Sequence, residues 1–507
     1  VTPPNIVVIQ ADQMAAQALG AYGDQAARTP HIDALAEEGA VFDRAYCTTP
    51  LCAPSRASMM TGTLPSELGC FDNGDDFPSS VPTFAHQLRM RGYHTALVGR
   101  MHFIGPDQHH GFEQRLTTDV YPADMDMVPD WERPLGERLQ WYHTADPVFE
   151  AGVSTASVQQ DFDDEVGFRS LRHLADRARA NRAAGQEQPF LMVTSFIHPH
   201  DPYEPPAEHW ERFADVTIPD PAHPQVPDAE QDPHSHRLRT MSGFDRREPS
   251  LEEVRRARRA YWYKMSPYEQ SARVPLIVWG PEGVVPRGRY ANPVSLLDLA
   301  PTLVELADGA GSGGMDADDG VTDGGGTHGG DPTEAAAASA AGLGDAASEE
   351  AVAAGRTGLS LLESMRRETS GVAGPQDRDV VIEYLAEGTY RPQITVVRGQ
   401  LKFVLCPGDP DQLYDLEADP DELANVAEDP AYAQIAAQLR QEVTDQYDLG
   451  ELEAEVLGSQ ERRRLVAGAL QTGSQRHWDF DPDPEQRYVR GDFWDALSYG
   501  RIPGQHG

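Results

Sequence analysis

At 507 residues, 39% of them hydrophobic, the chain can bury one large core and a smaller one, which excludes a small module and predicts two closely associated domains. A formal net charge of −39 disfavours nucleic acid and anionic lipid as partners, because phosphate-rich surfaces demand clustered Lys and Arg. The apolar runs are far shorter than the ~20 residues a bilayer span needs, and no basic segment followed by a long apolar stretch opens at Val1, so the expectation is a cytoplasmic protein with no membrane contact. The four cysteines, Cys47, Cys52, Cys70 and Cys406, show no paired spacing and make no disulfide framework, so one of them invites a chemical explanation.

In chain order, residues 5–10 form a β-branched run that ends at Ala11-Asp12-Gln13. It reads as a buried parallel strand delivering a carboxylate at its C-terminal end, where ligands collect in open α/β sheets. Residues 29–39 carry a capped start and a closing glycine, the signals of a helix. Further strands are predicted at 95–98, 190–196 and 276–279, with helical stretches between them, as at 163–182. Such alternation argues a mostly parallel sheet covered on both faces. Between 308 and 356 Gly, Ala and Asp dominate without periodicity, which reads as a disordered acidic insertion. Its Asp316-Ala-Asp-Asp-Gly320 piece lacks the ligand spacing and closing Glu of a calcium loop. Beyond it, short strands at 380–385, 393–397, 401–405 and 413–416 predict a small antiparallel sheet, followed by turn and helix over 419–446. From about Leu452 the chain is rich in Arg, Trp and Tyr and reads as an extended tail that packs on another surface, a partner subunit being one candidate. The resulting division is a catalytic domain over 1–307, the insertion over 308–356, an antiparallel-sheet subdomain over 357–450 and a tail over 451–507.

The chemistry concentrates in Cys52-Ala-Pro-Ser-Arg56, followed at fixed distance by Thr61-Gly62. At average residue frequencies of ~5–7%, four such fixed positions fall after a given Cys by chance on the order of once in 10⁵, so a structural cysteine in a proline turn competes poorly. By this signature the chain is identified as a member of the type I sulfatase family of the alkaline-phosphatase-like superfamily, and it resembles the choline-sulfatase branch. The resemblance implies an α/β fold: an α/β/α sandwich on a mostly parallel central sheet, with a smaller C-terminal domain holding an antiparallel sheet. It implies that a formylglycine-generating enzyme oxidises Cys52 to 3-oxoalanine (formylglycine). One hydroxyl of the hydrated aldehyde attacks the sulfur of a small-molecule sulfate ester, and the other later loses a proton to expel inorganic sulfate. It also implies a hard divalent cation, Ca2+ or Mg2+, with Asp12 and Cys52 among its ligands.

Other positions carry over by resemblance. Arg56 would fix the hydrated aldehyde through its planar fork. Gly99-Arg-Met-His102 is similar to a family Gly-Lys-x-His segment, with Arg100 in place of the lysine and His102 contacting the formylglycine. His200, in His198-Pro-His200-Asp-Pro-Tyr203, is the general acid or sulfate donor, and Lys264 stands ahead of Arg273-Val-Pro-Leu276 as a further catalytic cation. Asn73 falls where similar enzymes hold an active-site Asn. A quaternary ammonium group donates no hydrogen bond and is held by aromatic faces and carboxylates, for which Trp131, Trp141, His143, Glu383 and Glu387 are the candidates. Met127 stands where similar enzymes place an aromatic choline contact. The run from Ser459-Gln-Glu-Arg-Arg463 to Arg487-Tyr-Val-Arg490 resembles a subfamily tail that builds homo-oligomers and closes the site.

One departure is large. Between Tyr261 and Trp262 the family carries a helix and a central strand ending in Ser-Asp-His-Gly, and this chain has no Asp-His-Gly. One central strand is therefore expected to be missing, along with part of the metal site. Either a gene-model deletion in a working enzyme or a protein that keeps the fold without turnover accounts for this, and the spacing of Glu269 and Asp298 does not support them as substitute ligands. The rival functions are another sulfatase, a phosphonate monoester hydrolase and an inactive remnant.

Overall fold

The computed structural model describes residues 3–134, 137, 144–185, 187–218, 220, 231–260, 272–281, 283–309, 357–370, 378–472 and 477–480. β1 (Ile6–Ala11), β5 (Phe190–Phe196), β3 (His94–Gly99) and β4 (Gln114–Arg115) form a sheet in that spatial order, parallel at every pairing. These are the β-branched runs of the sequence, and β3 is buried along its whole length because both sheet faces are covered. On one face the helix Val158–Ala184 lays Val158, Phe162 and Val166 against Val98 and Met192.

A second sheet runs β6 (Arg273–Val278), β2 (Ala40–Tyr46), β7 (Gly288–Tyr290), with β8 (Val294–Ser295) also on β2. The helix α1 (Pro30–Glu38) leads into β2, with Pro30 in its first turn, where the missing N–H costs nothing. The third sheet is antiparallel throughout, in the order β12 (Gln412–Asp415), β11 (Leu401–Leu405), β10 (Gln393–Arg398), β9 (Asp379–Tyr384). The helix Ala433–Gln446 covers it through Ala436, Leu439 and Val443.

The expected break in the central sheet is visible in this order. β1 ends one sheet and β6 ends another, and among the described residues no strand joins them. A cavity of ≈ 2530 Å³ lies between, walled by residues 4–14 on one side and 273–281 on the other.

The segment from Leu452 departs from expectation. Asp448 accepts hydrogen bonds from the Gly450 and Glu451 backbone N–H groups and starts a helix, Leu449–Leu470, in place of an extended tail. Its Leu452 and Val456 join the antiparallel-sheet core of the same chain. The 308–356 insertion falls outside the described residues except at its edge. Among the described residues no helix is long and apolar enough to cross a membrane.

Candidate active site

Asp12 follows directly on β1 and is buried, as expected of a carboxylate at the end of a parallel strand. Cys52 opens the helix α2 (Cys52–Thr61), which Leu51 enters in an extended conformation. Leu51 offers no side-chain cap, and Asn73 supplies one from a distance: its Oδ1 accepts from the Ala53 N–H at 3.0 Å. At the other end Gly62 takes the left-handed conformation, φ 74°, and its N–H closes on the Ser58 carbonyl, so the Thr-Gly of the signature is a helix stop. Arg56 lies one turn beyond Cys52 and therefore on the same face.

These elements bring three donors together: atoms of Asp12, Cys52 and His200 lie within 4.8 Å of one another. The Cys52 Sγ is 3.6 Å from Asp12 Oδ1 and 3.8 Å from Oδ2. Arg56 is buried, donating to the Arg100 carbonyl at 2.7 Å, Ser195 Oγ at 3.0 Å and Gln10 Oε1 at 3.2 Å, and lying 3.3 Å from Asp12 Oδ1. Arg100 pairs with Asp12 Oδ2. Its guanidinium also sits 4.2 Å from the centre of the Tyr121 ring and donates to His102 Nδ1 at 3.2 Å. Gly99 makes this placement possible. At φ 98° a Cβ would stand 1.9 Å from the Ser195 carbonyl oxygen, so only glycine lets the chain leave β3 there.

Arginine can only donate, so His102 Nδ1 is the acceptor and Nε2 carries the hydrogen. Burial, reinforced by Arg100, holds His102 well below its ordinary pKa, so the ring is neutral. His102 Nε2 is buried without a hydrogen-bond partner and belongs to a ring that lines the cavity. In His200 the roles reverse. Nδ1 faces the Asp201 carbonyl at 2.8 Å, which fixes the hydrogen on Nδ1 and leaves a lone pair on Nε2. Burial lowers His200 to about 4 against the pull of Asp201, so at neutral pH the ring is neutral. Burial pushes the Cys52 thiol up to about 11 although Arg56 draws it down, so the unmodified side chain is a poor nucleophile near neutrality.

Two positioning groups went unnoticed in the sequence. Asp119 accepts from the Met101 and His102 N–H groups at 3.0 and 2.9 Å and from Arg115 at 3.1 Å, holding the turn that carries Arg100 and His102. Asp72 is paired with Arg463 of the Leu449–Leu470 helix through two contacts of 2.7 and 2.8 Å, which ties that helix to the loop bearing Asn73. A carboxylate whose partners are backbone N–H groups, or an arginine hundreds of residues away, leaves no local pattern.

The choline candidates scatter. Trp131 sits in the C-terminal core with its Nε1 donating to the Ala386 carbonyl, and Glu383 takes hydrogen bonds from Ser66 N, Ser66 Oγ and Tyr447 Oη, so neither lines the cavity. Glu387 is fully buried and does not line the cavity, though its charge contributes to raising Cys52, while Asn73, Tyr121 and Met127 do line it. Trp141, His143, Lys264 and Glu269 lie outside the described residues. Asp298 is not a substitute ligand: it is buried in a two-point pair with Arg378, at 2.6 and 2.8 Å, and accepts from Ser295 N and Leu359 N.

A calcium or magnesium ion needs about six or more oxygen ligands. Among the described His, Cys, Asp and Glu side chains, those that cluster here are one carboxylate, one sulfur and one imidazole, and the carboxylate is already spanned by two guanidinium groups. By themselves these three do not make a hard-cation site.

Fold and site together define an α/β protein with a nucleophile position at a helix N-terminus facing buried arginines. Residues 4–266 match the Sulfatase family and residues 454–499 match the family described as choline sulfatase enzyme C terminal. Choline-sulfatase of Rhizobium meliloti is 36% identical over 537 aligned positions, covering 96% of each chain. An uncharacterised sulfatase of Escherichia coli, YidJ, is 23% identical, over 88% of this chain and 87% of its own. Among solved structures, a protein held with its substrate D-glucosamine-2-N,6-O-disulfate superposes with a TM-score of 0.57 at 18% identity, over 91% of this chain and 99% of its own. Phosphonate monoester hydrolase of Agrobacterium radiobacter gives 0.53 at 18%, over 90% and 96%. The chain belongs to the sulfatase family, a family of sulfuric ester hydrolases.

Proposed function

We propose that the protein hydrolyses choline sulfate to choline and inorganic sulfate through a formylglycine formed from Cys52. The single observation that carries the reaction is the setting of Cys52: a helix N-terminus flanked by Arg56, Arg100, His102 and His200 on one cavity wall. The choice of choline sulfate is supported by the 36% identity to a choline-sulfatase over 96% of both chains, and by the match of 454–499 to the choline-sulfatase C-terminal family.

The residues divide the work. A formylglycine at position 52 supplies a hydrated carbonyl able to attack sulfur, with a second hydroxyl through which sulfate is later expelled. The N-terminal end of α2 favours negative charge at that position. Arg56 and Arg100 offset charge on the sulfuryl oxygens from fixed places, one held by Ser195 and Gln10, the other by Asp12 and the Tyr121 face. His102 offers its unpartnered Nε2–H to an oxygen anion, and His200 accepts a proton at Nε2. Glu387, buried near Cys52, is a counter-charge for the trimethylammonium end. We place the enzyme in the cytoplasm as a homo-oligomer held through its C-terminal segment, which sedimentation of the purified protein checks.

The test is co-expression with a formylglycine-generating enzyme, intact-mass detection of thiol-to-aldehyde conversion at Cys52, and sulfate release from choline sulfate, an aryl sulfate and a phosphonate ester. Preference for choline sulfate is expected, and a faster aryl sulfate or phosphonate reaction rejects the substrate. The broken central sheet favours one second reading, a protein that binds the ester without turnover. Calorimetric binding of choline sulfate with no sulfate release selects it.

A further inference from the structure

β1 and β6 face one another across the cavity as the open ends of two sheets, and neither has an outer neighbour among the described residues. The volume, ≈ 2530 Å³, is well beyond the ~300–1,000 Å³ of an ordinary ligand pocket. Its walls are apolar where a sheet interior would be. Val7 and Ile9 of β1 are 42% and 69% exposed, and Trp279 at the end of β6 is 53% exposed, whereas Leu191 and Val193 on the neighbouring β5 are fully buried. An open, apolar strand edge of this kind is a template for another strand.

The comparison with the Rhizobium enzyme indicates what belongs there. That alignment runs over 537 positions but draws on 96% of a 507-residue chain, about 487 residues, so about 50 positions of the relative have no counterpart here. Val254, Ala257 and Arg258 of the helix Leu251–Ala260 line the same cavity as β6, which is the next described strand in the chain. A strand drawn from that unmatched length fits between the helix and β6, where the two open edges face one another.

We infer that the cleft between β1 and β6 is a strand-acceptor slot, built for one apolar strand from a block of about 50 residues that this chain lacks, and that the slot takes this block in trans. The strand is six or seven residues long, to match β1 and β5. It is buried on both faces, as β3 is, and mostly apolar, because it becomes a central strand. Main-chain hydrogen bonds to β1 and β6 supply affinity, as when a peptide extends a sheet edge.

The experiment follows backbone amide exchange in the full chain, alone and with a synthetic peptide comprising the unmatched block of the Rhizobium meliloti enzyme. A copy of the block with proline at the centre of its strand is the control. In the chain alone, β1 is expected to keep fast-exchanging amides beside slow ones in β3 and β5. The block should slow the fast ones by about tenfold or more, and the proline copy should not. If the chain alone is unprotected throughout and gains protection only with the block, the inference stands equally. Full protection of β1 in the free monomer means that the chain's own residues fill the slot, protection only in a dimer means that a second copy does, and no response to the block means that the slot does not accept it. Each of these three overturns the inference. Because no readout is turnover, failure here is separate from failure of the choline sulfate reading.

Discussion

Alkylation of Cys52 in unmodified protein, followed against pH, tests the chemical logic of the site without requiring turnover. Burial raises the thiol from an ordinary 9.0 to about 11, against the opposing charge of Arg56. Each pKa unit is a factor of ten in thiolate, so a shift of about two units leaves ~100-fold less thiolate at neutral pH. The more basic thiolate is also the better nucleophile, by ~10-fold over two units at a Brønsted slope of ~0.4–0.5. The two effects leave a net slowing of only ~10-fold, which crowding alone could imitate, so a rate at one pH decides little. The position of the inflection decides more. With iodoacetamide and site-resolved peptide mass spectrometry, the Cys52 rate should climb about tenfold per pH unit through about pH 9.5 with no plateau. Cys47, Cys70 and Cys406 are buried and raised as well, so the readout has to be resolved by site. A plateau at about pH 8 to 9 refutes the reasoning, because an accessible thiolate could then act as nucleophile unaided and the case for converting Cys52 would lose its physical basis.

Other outcomes follow from the buried charges. Arg463→Met strands Asp72 and Asp75 in the interior and should cost ~3–5 kcal/mol in denaturant unfolding, with much of it recovered in the Arg463→Met/Asp72→Leu double variant; a loss below ~1 kcal/mol would mean that water reaches the pair. His110, His173, His200 and His234 are each held near 4 by burial, while the unfolded chain takes up protons from about 6.5. The unfolded state binds more protons between these limits, so melting temperature should fall as pH drops from about 6.5 to about 4, and a flat profile would count against this. Asp75 has the opposite sign, since burial raises it to about 7 despite Arg463. Its contribution is present below the ordinary carboxylate pKa and lost as pH rises through about 7, so Asp75→Asn should stabilise the protein at about pH 8 more than at about pH 5, by thermal melts.

The strands that could be read in advance are those whose two faces are both covered. Phe190–Phe196 and Leu401–Leu405 appear with the expected bounds because dense apolar runs, broken only by Thr194 and Ser195 in the first and Lys402 in the second, need little further information. β2 was missed, since Asp43 and Arg44 interrupt its pattern. A register shift between Phe42 and Ala45 accommodates them, letting Asp43 pair with Arg289 and Arg44 reach the Gly399 carbonyl. Leu449–Leu470 was read as extended because its buried face holds Ser459, Gln460 and Arg463 among its apolar residues. Their partners are Asp72 and the Trp131 N–H, and no window of sequence contains both sides of those contacts.

The site was legible to the extent that it rests on contiguous motifs. Cys52 and Arg56 share a helix turn, and Arg100 and His102 share the turn after β3, so their spacing already implied their meeting. The balance of charge among them was hidden, because it depends on Asp12 lying between two arginines from different elements. This gives the Arg100 departure from the family lysine a physical sense. A compact ammonium is a single point of charge, whereas the guanidinium fork meets Asp12, His102 and the Tyr121 face at the same time. Among the described residues Asp12 is the one carboxylate of the three-donor cluster, and Arg100 holds it in orientation. The open edge of β1 lies immediately before Asp12, so the arginine fork and the strand slot adjoin the same residue.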